Sequence, residues 1–224
     1  MYGNNNFDDS AIRRKPLFRV KICGITRMED ALAAESLGAA AVGFVFYPSS
    51  RRFIEPVAAR AISDTLGPFI ARVGVFVDDK PANIRLIREQ AGLTAVQLHG
   101  SETPESVRAL AGIPVIKAFR VGEEFSPDRI GDYRAHAYLL DTYVPGECYG
   151  GTGKTFDWDI ARTCRRHGKI ILAGGITAEN VADAIKAADP WGIDVSSGVE
   201  CSPGVKDSEK MAALFDTVTG ELTE

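Results

Sequence analysis

The sequence has few of the residues that build metal sites and few that bind nucleic acids. Its 224 residues include four cysteines and three histidines. No two cysteines form a C-x-x-C pair and no histidines stand at metal-ligand spacing, so we expect no metal. Acidic residues outnumber basic ones and the net charge is −4, which argues against nucleic acid or an anionic membrane as partner. A small molecule is the expected ligand.

Long apolar runs are also absent. No stretch approaches the roughly 20 apolar residues of a membrane-spanning helix, and we find no signal-peptide pattern. The expectation is a cytoplasmic protein with reduced thiols. The sequence does contain 45% hydrophobic and 25% charged residues, an ordinary composition for a globular domain with a sizeable core.

From Phe18 onward, short β-branched or apolar runs alternate with longer amphipathic ones, as in βα units around a parallel sheet. Residues 1–16 contain an Asn run without periodicity and are expected to form a flexible tail, with one domain over 17–224. The predicted helices include Met28–Leu37, Pro56–Leu66, Pro81–Gln90, Pro104–Ala111 and Ala178–Ala188, with a weaker one at Phe125–Tyr133. The predicted strands are Phe18–Cys23, Ala41–Phe46, Arg72–Val77, Ala95–Leu98, Val115–Phe119, Tyr138–Asp141, Ile170–Ala173 and Ile193–Ser196.

Repeats of this kind in a chain of this length predict a single-domain (β/α)8 TIM barrel, an α/β fold. A doubly wound sheet is the alternative. It usually carries a Gly-rich dinucleotide turn after its first strand, whereas here Cys23-Gly24-Ile25-Thr26 follows.

Alternate residues of a barrel strand face the pore. A charged side chain that is buried in a barrel must form an ion pair or take part in function. We therefore expect Lys21 and Asp194, on neighbouring strands, to form an ion pair, and this pair can be structural or functional. The residues predicted to form a polar pore-facing set are Lys21 with Cys23, Gln97 with His99, Lys117 with Phe119, and Asp194 with Ser196.

Polar residues and glycines follow several predicted strands, at the barrel end where TIM-barrel active sites lie. Cys23, His99 and Asp141 end strands one, four and six. Singly, Cys23 also fits a small buried apolar residue and Asp141 a turn cap. The turns after strands seven and eight, Gly174-Gly175 and Ser196-Ser197-Gly198, favour a phosphate site over simple tight turns.

Two further segments contain residues of types that bind anionic ligands. Arg51-Arg52 is either a solvated pair or presents a guanidinium fork to a substrate carboxylate, and its position favours the second interpretation. Residues 148–155 resemble a phosphate-binding P-loop, but Cys148 stands where that motif requires Gly, and Pro145 separates the segment from its strand. We therefore do not expect nucleotide hydrolysis.

Five blocks in order resemble the phosphoribosylanthranilate isomerase family, and the resemblance spans Phe18 to the last helix. The tail has no counterpart in it. The blocks are Val20-Lys21-Ile22-Cys23-Gly24-Ile25-Thr26, Val42-Gly43-Phe44-Val45-Phe46-Tyr47-Pro48-Ser49-Ser50-Arg51-Arg52, Val96-Gln97-Leu98-His99-Gly100, Gly150-Gly151-Thr152-Gly153-Lys154-Thr155-Phe156-Asp157-Trp158 and Asp194-Val195-Ser196-Ser197-Gly198-Val199-Glu200.

The resemblance implies an Amadori rearrangement in tryptophan biosynthesis, acting on a phosphosugar without cofactor, metal or obligate protein partner. It implies Cys23 as general base, Asp141 as general acid and Arg52 as the contact to the anthranilate carboxylate. The glycine turns after strands seven and eight are implied to hold the phosphate. Gln97 and His99 are expected to line the pocket, without a chemical step assigned to either.

Two alternatives remain at this point. The related isomerase of histidine biosynthesis is associated with two carboxylates, and Cys23 argues against it. A non-catalytic phosphate-ligand binding protein is disfavoured by the presence of both Cys23 and Asp141. The mechanism needs a thiolate beside a protonated carboxyl, so we expect Lys21 to lower the pKa of Cys23 and the apolar run before Asp141 to raise the pKa of its carboxyl.

Overall fold

The computed structural model describes residues 18–142 and 157–221. In these ranges eight parallel strands close into a barrel, with the last strand paired to the first. This confirms the predicted (β/α)8 fold. The strands are β1 (Arg19–Cys23), β2 (Ala41–Val45), β3 (Ala71–Phe76), β4 (Ala95–Leu98), β5 (Val115–Val121), β6 (Ala137–Thr142), β7 (Ile170–Leu172) and β8 (Gly192–Val195).

Helices follow most strands and cover the outside of the barrel. Several begin with a proline in the first turn, where the missing N–H leaves no bond unmade. The helices are α1 (Met28–Ser36), α2 (Pro56–Ser63), α3 (Pro81–Gln90), α4 (Pro104–Ala109), α5 (Trp158–Cys164), α6 (Val181–Ala188) and α7 (Ser208–Glu221). Short 3₁₀ turns cover Pro127–Asp132, Arg165–His167 and Ser197–Val199, and a hairpin of β9 (Glu200–Ser202) and β10 (Val205–Lys206) precedes α7.

Two of the sequence-based expectations lie outside the described residues. These are the flexible tail at 1–16 and the P-loop-like segment at 148–155, so the domain boundary at residue 17 stays a prediction. Within the described ranges, no helix is long and apolar enough to cross a membrane.

The helix predicted at Phe125–Tyr133 is wrong. The chain forms a 3₁₀ turn at Pro127–Asp132 instead. Gly131 and Asp132 are poor helix formers, and the backbone is extended at Tyr133, whose carbonyl accepts a hydrogen bond from the Tyr138 hydroxyl at 2.6 Å. The chain after β5 therefore forms a 3₁₀ turn where the other described βα units have an α-helix.

The placement of Lys117 and Phe119 in the pore is also wrong. Their neighbour Ala118 packs inside the barrel, so both point outward, toward the helices. The Lys117 ammonium donates to the carboxylate of Glu102 at 2.8 Å, and the Phe119 ring packs edge-on against Tyr133 at 5.1 Å. Strand parity predicts which residues share a face, but it does not say which face is the pore.

Candidate active site

A cleft opens at the C-terminal ends of the strands, and nearly all the residues predicted for the site line it. Gln97 lies deeper, fully buried behind His99. The predicted residues that line the cleft are Cys23, Arg52, His99, Asp141, Gly174, Gly175, Ser196, Ser197 and Gly198. The cleft also includes side chains that the sequence did not single out, namely Tyr47, Ser50, Val75, Val77 and Ile176.

Lys21 and Cys23 lie two residues apart on β1 and face the pore together. Lys21 Nζ donates to Asp194 Oδ1 on β8 at 2.7 Å, which confirms the expected ion pair. Gly43 on β2 leaves room for this group, because a Cβ there would lie 2.9 Å from Cys23 Sγ and 3.1 Å from Lys21 Nζ. The ammonium is therefore close enough to the sulfur for its charge to act on the thiol.

Burial raises the pKa of the Cys23 thiol, and the negative charge of Asp194 raises it further. Lys21 and Lys206 act in the opposite direction without outweighing these effects. The expectation of a lowered pKa for Cys23 is therefore wrong, because desolvation of the buried thiolate is the largest contribution. The contribution of Lys21 has the expected sign.

Asp141 near the end of β6 belongs to a chain of three hydrogen-bonded side chains. His99 Nε2 lies 3.2 Å from Asp141 Oδ2, and His99 Nδ1 lies 2.8 Å from Gln97 Nε2. Gly174 closes the other side of the carboxylate: its φ is +83°, and a Cβ there would lie 2.8 Å from Asp141 Oδ1. The acid is thus held by a histidine on one side and by a backbone turn on the other.

Arg52, in the loop after β2, forms a bidentate ion pair with Glu200. Its Nε and Nη2 donate to the Glu200 carboxylate at 2.9 and 2.6 Å, which leaves the Nη1 edge of the guanidinium for a ligand. Burial would raise the pKa of Glu200, but the hydrogen bond from Arg52 and the charge of Lys206 hold it below its ordinary value. Arg52 therefore lines the predicted cleft, but its Nε and Nη2 already donate hydrogen bonds to Glu200.

Lys206 is a buried site residue that sequence reasoning missed. Its ammonium donates to the Cys23 carbonyl at 2.5 Å, the Ser196 carbonyl at 3.2 Å and Glu200 Oε1 at 2.8 Å. It therefore links the ends of β1 and β8 to the ion pair of Arg52. Lys206 belongs to the short β9–β10 hairpin, where no periodicity marks a buried position, and nothing in the sequence pattern singled it out.

The two glycine turns lie side by side at the ends of β7 and β8. Gly174 and Gly175 have φ values of +83° and +66°, which only glycine adopts readily. At Gly198 a Cβ would collide with the Ile176 carbonyl, so the two turns are in direct contact. A 3₁₀ turn starts at Ser197. Turns of this kind direct backbone N–H groups at an anion.

The described parts of the chain, before and after the gap at 143–156, contain no cluster of His, Cys, Asp and Glu side chains that could hold a metal ion. The cleft has other groups for chemistry: a thiol on β1, a carboxylate on β6 and the two glycine turns between them. Together with the closed barrel, this arrangement defines a (β/α)8-barrel enzyme.

The family is shown by comparison with known proteins. The family model for N-(5'phosphoribosyl)anthranilate (PRA) isomerase matches residues 20–217. The chain is 49% identical to N-(5'-phosphoribosyl)anthranilate isomerase of Geobacter sulfurreducens over 204 residues, 91% of this chain and 100% of the relative. The chain belongs to the phosphoribosylanthranilate isomerase family and is an isomerase of tryptophan biosynthesis.

Solved structures agree with this assignment. The phosphoribosyl anthranilate isomerase of Thermotoga maritima is 48% identical, with a TM-score of 0.85 over 91% of this chain and 99% of that one. Another structure of such an isomerase, 44% identical with a TM-score of 0.81, covers 91% of this chain and 99% of that chain. It holds reduced 1-(o-carboxyphenylamino)-1-deoxyribulose 5-phosphate.

Proposed function

We propose that the chain converts N-(5'-phosphoribosyl)anthranilate into 1-(2-carboxyphenylamino)-1-deoxyribulose 5-phosphate, with Cys23 as general base and Asp141 as general acid. The observation that carries this assignment is that both groups, on β1 and β6, line one cleft with the glycine turns of β7 and β8, the two strands between them. A substrate anchored by its phosphate at those turns lies between an acid and a base.

The rearrangement has no net redox change, and two proton transfers lead to its enolamine intermediate. Asp141 gives its proton to the ribose ring oxygen, and the C1′–O bond breaks with its electron pair going to that oxygen. The resulting Schiff base is positively charged, which makes the C2′ proton acidic. Cys23 thiolate removes this proton, and the C2′–H electrons form the enolamine, which tautomerises to the ketone product. Positioned acid–base groups of this kind contribute roughly 10²–10⁴-fold each.

The two ends of the substrate are assigned to opposite sides of Cys23. We assign the phosphate to the backbone of Gly174, Gly175, Ser196, Ser197 and Gly198, with the neighbouring start of the 3₁₀ turn adding favourable dipoles. The anthranilate carboxylate is assigned to the Nη1 edge of Arg52. Glu200 holds that guanidinium in a fixed orientation, so little side-chain freedom is lost when a carboxylate binds.

We also place this activity in the cytoplasm, with a small-molecule phosphosugar as ligand and no obligate protein partner. The support is chemical. A general base that acts as thiolate requires reduced cysteine, and Cys23, Cys164 and Cys201 are free thiols. Reducing compartments keep such thiols unpaired.

The roles are tested by Cys23→Ala and Asp141→Asn, each expected to lower kcat by about 10²–10⁴-fold while the fold persists. Cys201→Ala is the matched control, because that thiol is exposed and outside the cleft, and it should leave kcat unchanged. Circular dichroism of all variants checks folding. Near-wild-type kcat in either folded site variant would contradict the role of that residue.

A further inference from the structure

Gln97 presents an unusual buried group. Its side chain is fully buried behind His99, and Nε2 bonds His99 Nδ1 at 2.8 Å. Its Oε1 accepts no hydrogen bond from any residue that the structure describes. A buried carbonyl without a donor lowers the stability of the fold, and such atoms in native proteins point to a functional reason.

The amide of Gln97 can satisfy His99 in two ways, because it has donors at one end and an acceptor at the other. In the orientation observed, Nε2 donates to His99 Nδ1. The imidazole proton then lies on Nε2 and points at Asp141 Oδ2, which accepts it. This pattern suits an acid that has given up its proton, because an ionised carboxylate only accepts.

Turning the amide over, so that its oxygen and nitrogen exchange places, would produce the complementary pattern in the same volume. Oε1 would then accept a hydrogen bond from His99 Nδ1–H, and His99 Nε2 could accept one from a protonated Asp141. In this second state one proton is shared between Asp141 Oδ2 and His99 Nε2. The Gln97 oxygen then has its missing donor, and the amide nitrogen takes the position in which Oε1 has no partner among the described residues.

We propose that Gln97 and His99 are positioning residues that match their hydrogen bonds to both protonation states of Asp141, with the Gln97 amide turning over as the acid loses and regains its proton. This inference rests on the proposed role of Asp141 as general acid. The proton on Oδ2 goes to the ribose ring oxygen. The imidazole then exchanges its Nδ1 proton for one on Nε2 through water in the open cleft, and rebinding of a proton reverses these changes.

Other charged groups face the same part of the cleft and must be separated from this effect. Asp194 is paired with Lys21, and Arg52 with Glu200. The groups that face this region from the surrounding elements are Cys23 from β1, Arg52 from the loop after β2, Arg120 in register with Asp141 on β5, and Asp194 from β8. A Gln97 variant leaves all of these groups unchanged, so its effect on the His99 ring can be attributed to the lost Gln97 amide.

The test follows the His99 ring directly by ¹⁵N NMR of the full chain labelled at histidine. The sequence has three histidines, and His99→Asn identifies the signal. At one fixed pH of about 8, where an ordinary imidazole is neutral, the wild-type ring is expected in the Nε2–H pattern. In Asp141→Asn, whose amide N–H can stand in for the proton of the neutral acid, and in Gln97→Glu, whose carboxylate only accepts, the ring should change to the Nδ1–H pattern.

Gln97→Met is the matched control, since it fills similar volume but can neither donate nor accept. The ring should then keep the wild-type pattern, because its hydrogen bond to Asp141 remains. The signals of His136 and His167 should not move in any of these variants. An imidazole that keeps its Nε2 proton in Asp141→Asn, or the same ring pattern in wild type and Gln97→Glu, would overturn the proposal.

The outcome is separate from the test of the proposed function. Full activity of Asp141→Asn would remove the general-acid role, whatever the imidazole does. As a kinetic counterpart of this inference, Gln97→Met should lower kcat by about tenfold or more with KM changed less than about threefold. Equal loss in KM and kcat would indicate a packing role.

Discussion

The charge of Lys21 should set how readily Cys23 becomes a thiolate, and Lys21→Met removes that charge while keeping the length of the side chain. Burial would lower the pKa of Lys21, but Asp194 and Cys23 outweigh it and raise that pKa. The ammonium is therefore charged at neutral pH. It shares with Cys23 Sγ the space that the missing side chain of Gly43 leaves open.

The magnitude follows from this proximity. A Cβ at Gly43 would lie 2.9 Å from Cys23 Sγ and 3.1 Å from Lys21 Nζ, so these two atoms are at most about 6 Å apart. A unit charge at that distance and an effective dielectric constant of about 20 contributes roughly 3 kcal/mol, or about two pKa units. Lys21→Met should therefore raise the pKa of Cys23 by about two units. The reactive form needs thiolate and protonated acid together, so its population near neutral pH depends on the difference between the two pKa values. We expect kcat/KM across neutral pH to fall about 100-fold.

The assay is alkylation of Cys23 by iodoacetamide at a series of pH values, with the modified peptide quantified by mass spectrometry. Asp194→Asn should shift the curve the other way, since Asp194 raises the pKa of Cys23. Lys21→Met leaves a buried carboxylate unpaired, at a cost of about 3–5 kcal/mol, so the double variant Lys21→Met with Asp194→Asn controls for folding. An unchanged titration in a folded Lys21→Met variant would mean that Lys21 is structural only.

Three further predictions concern the groups around the cleft. Arg52→Ala should raise KM by about 10–100-fold with a smaller change in kcat, as expected for ground-state carboxylate binding; steady-state kinetics decides, and a pure kcat loss would place Arg52 in the chemistry. Lys206→Met should lower kcat/KM at least about tenfold and reduce Tm, because buried Glu200 loses a partner. Steady-state kinetics and thermal unfolding measure these two quantities, and wild-type values of both would contradict the prediction. Gly174→Ala should lower kcat by about tenfold or more, because its Cβ would press on the general acid. Gly112 is also at positive φ but has open space around it, so Gly112→Ala should lower only the stability, by on the order of 1 kcal/mol. Equal kcat values for the two variants would argue against the contact between residue 174 and Asp141.

The strands and the lining of the cleft could be predicted because both follow from periodic patterns. Each strand is a mostly buried run in which apolar residues predominate, and side chains such as Cys23 and Asp141 stand where such a run ends. The predicted range Ala95–Leu98 matches β4, and the other strands differ by one or two residues at their ends. Such ends depend on hydrogen bonds that sequence patterns do not encode.

The remaining errors have local physical causes. The sequence does not show whether Lys117 faces the pore, because both faces of a barrel strand are buried and its partner Glu102 comes from the loop after β4. Lys206 lies in a two-residue strand, too short for any pattern. The pKa of Cys23 depends on burial from all sides, which the neighbouring Lys21 in the sequence could not reveal.

The central claim is that this chain turns over its substrate by acid–base chemistry between Cys23 and Asp141. The most direct measurement is incubation of purified protein with N-(5'-phosphoribosyl)anthranilate, following the loss of substrate fluorescence and identifying the product. We expect complete conversion to 1-(2-carboxyphenylamino)-1-deoxyribulose 5-phosphate by the wild type, and rates lower by about 10²–10⁴-fold in Cys23→Ala and Asp141→Asn. Saturable binding without turnover by the wild type, or equal rates in all three proteins, would contradict the claim.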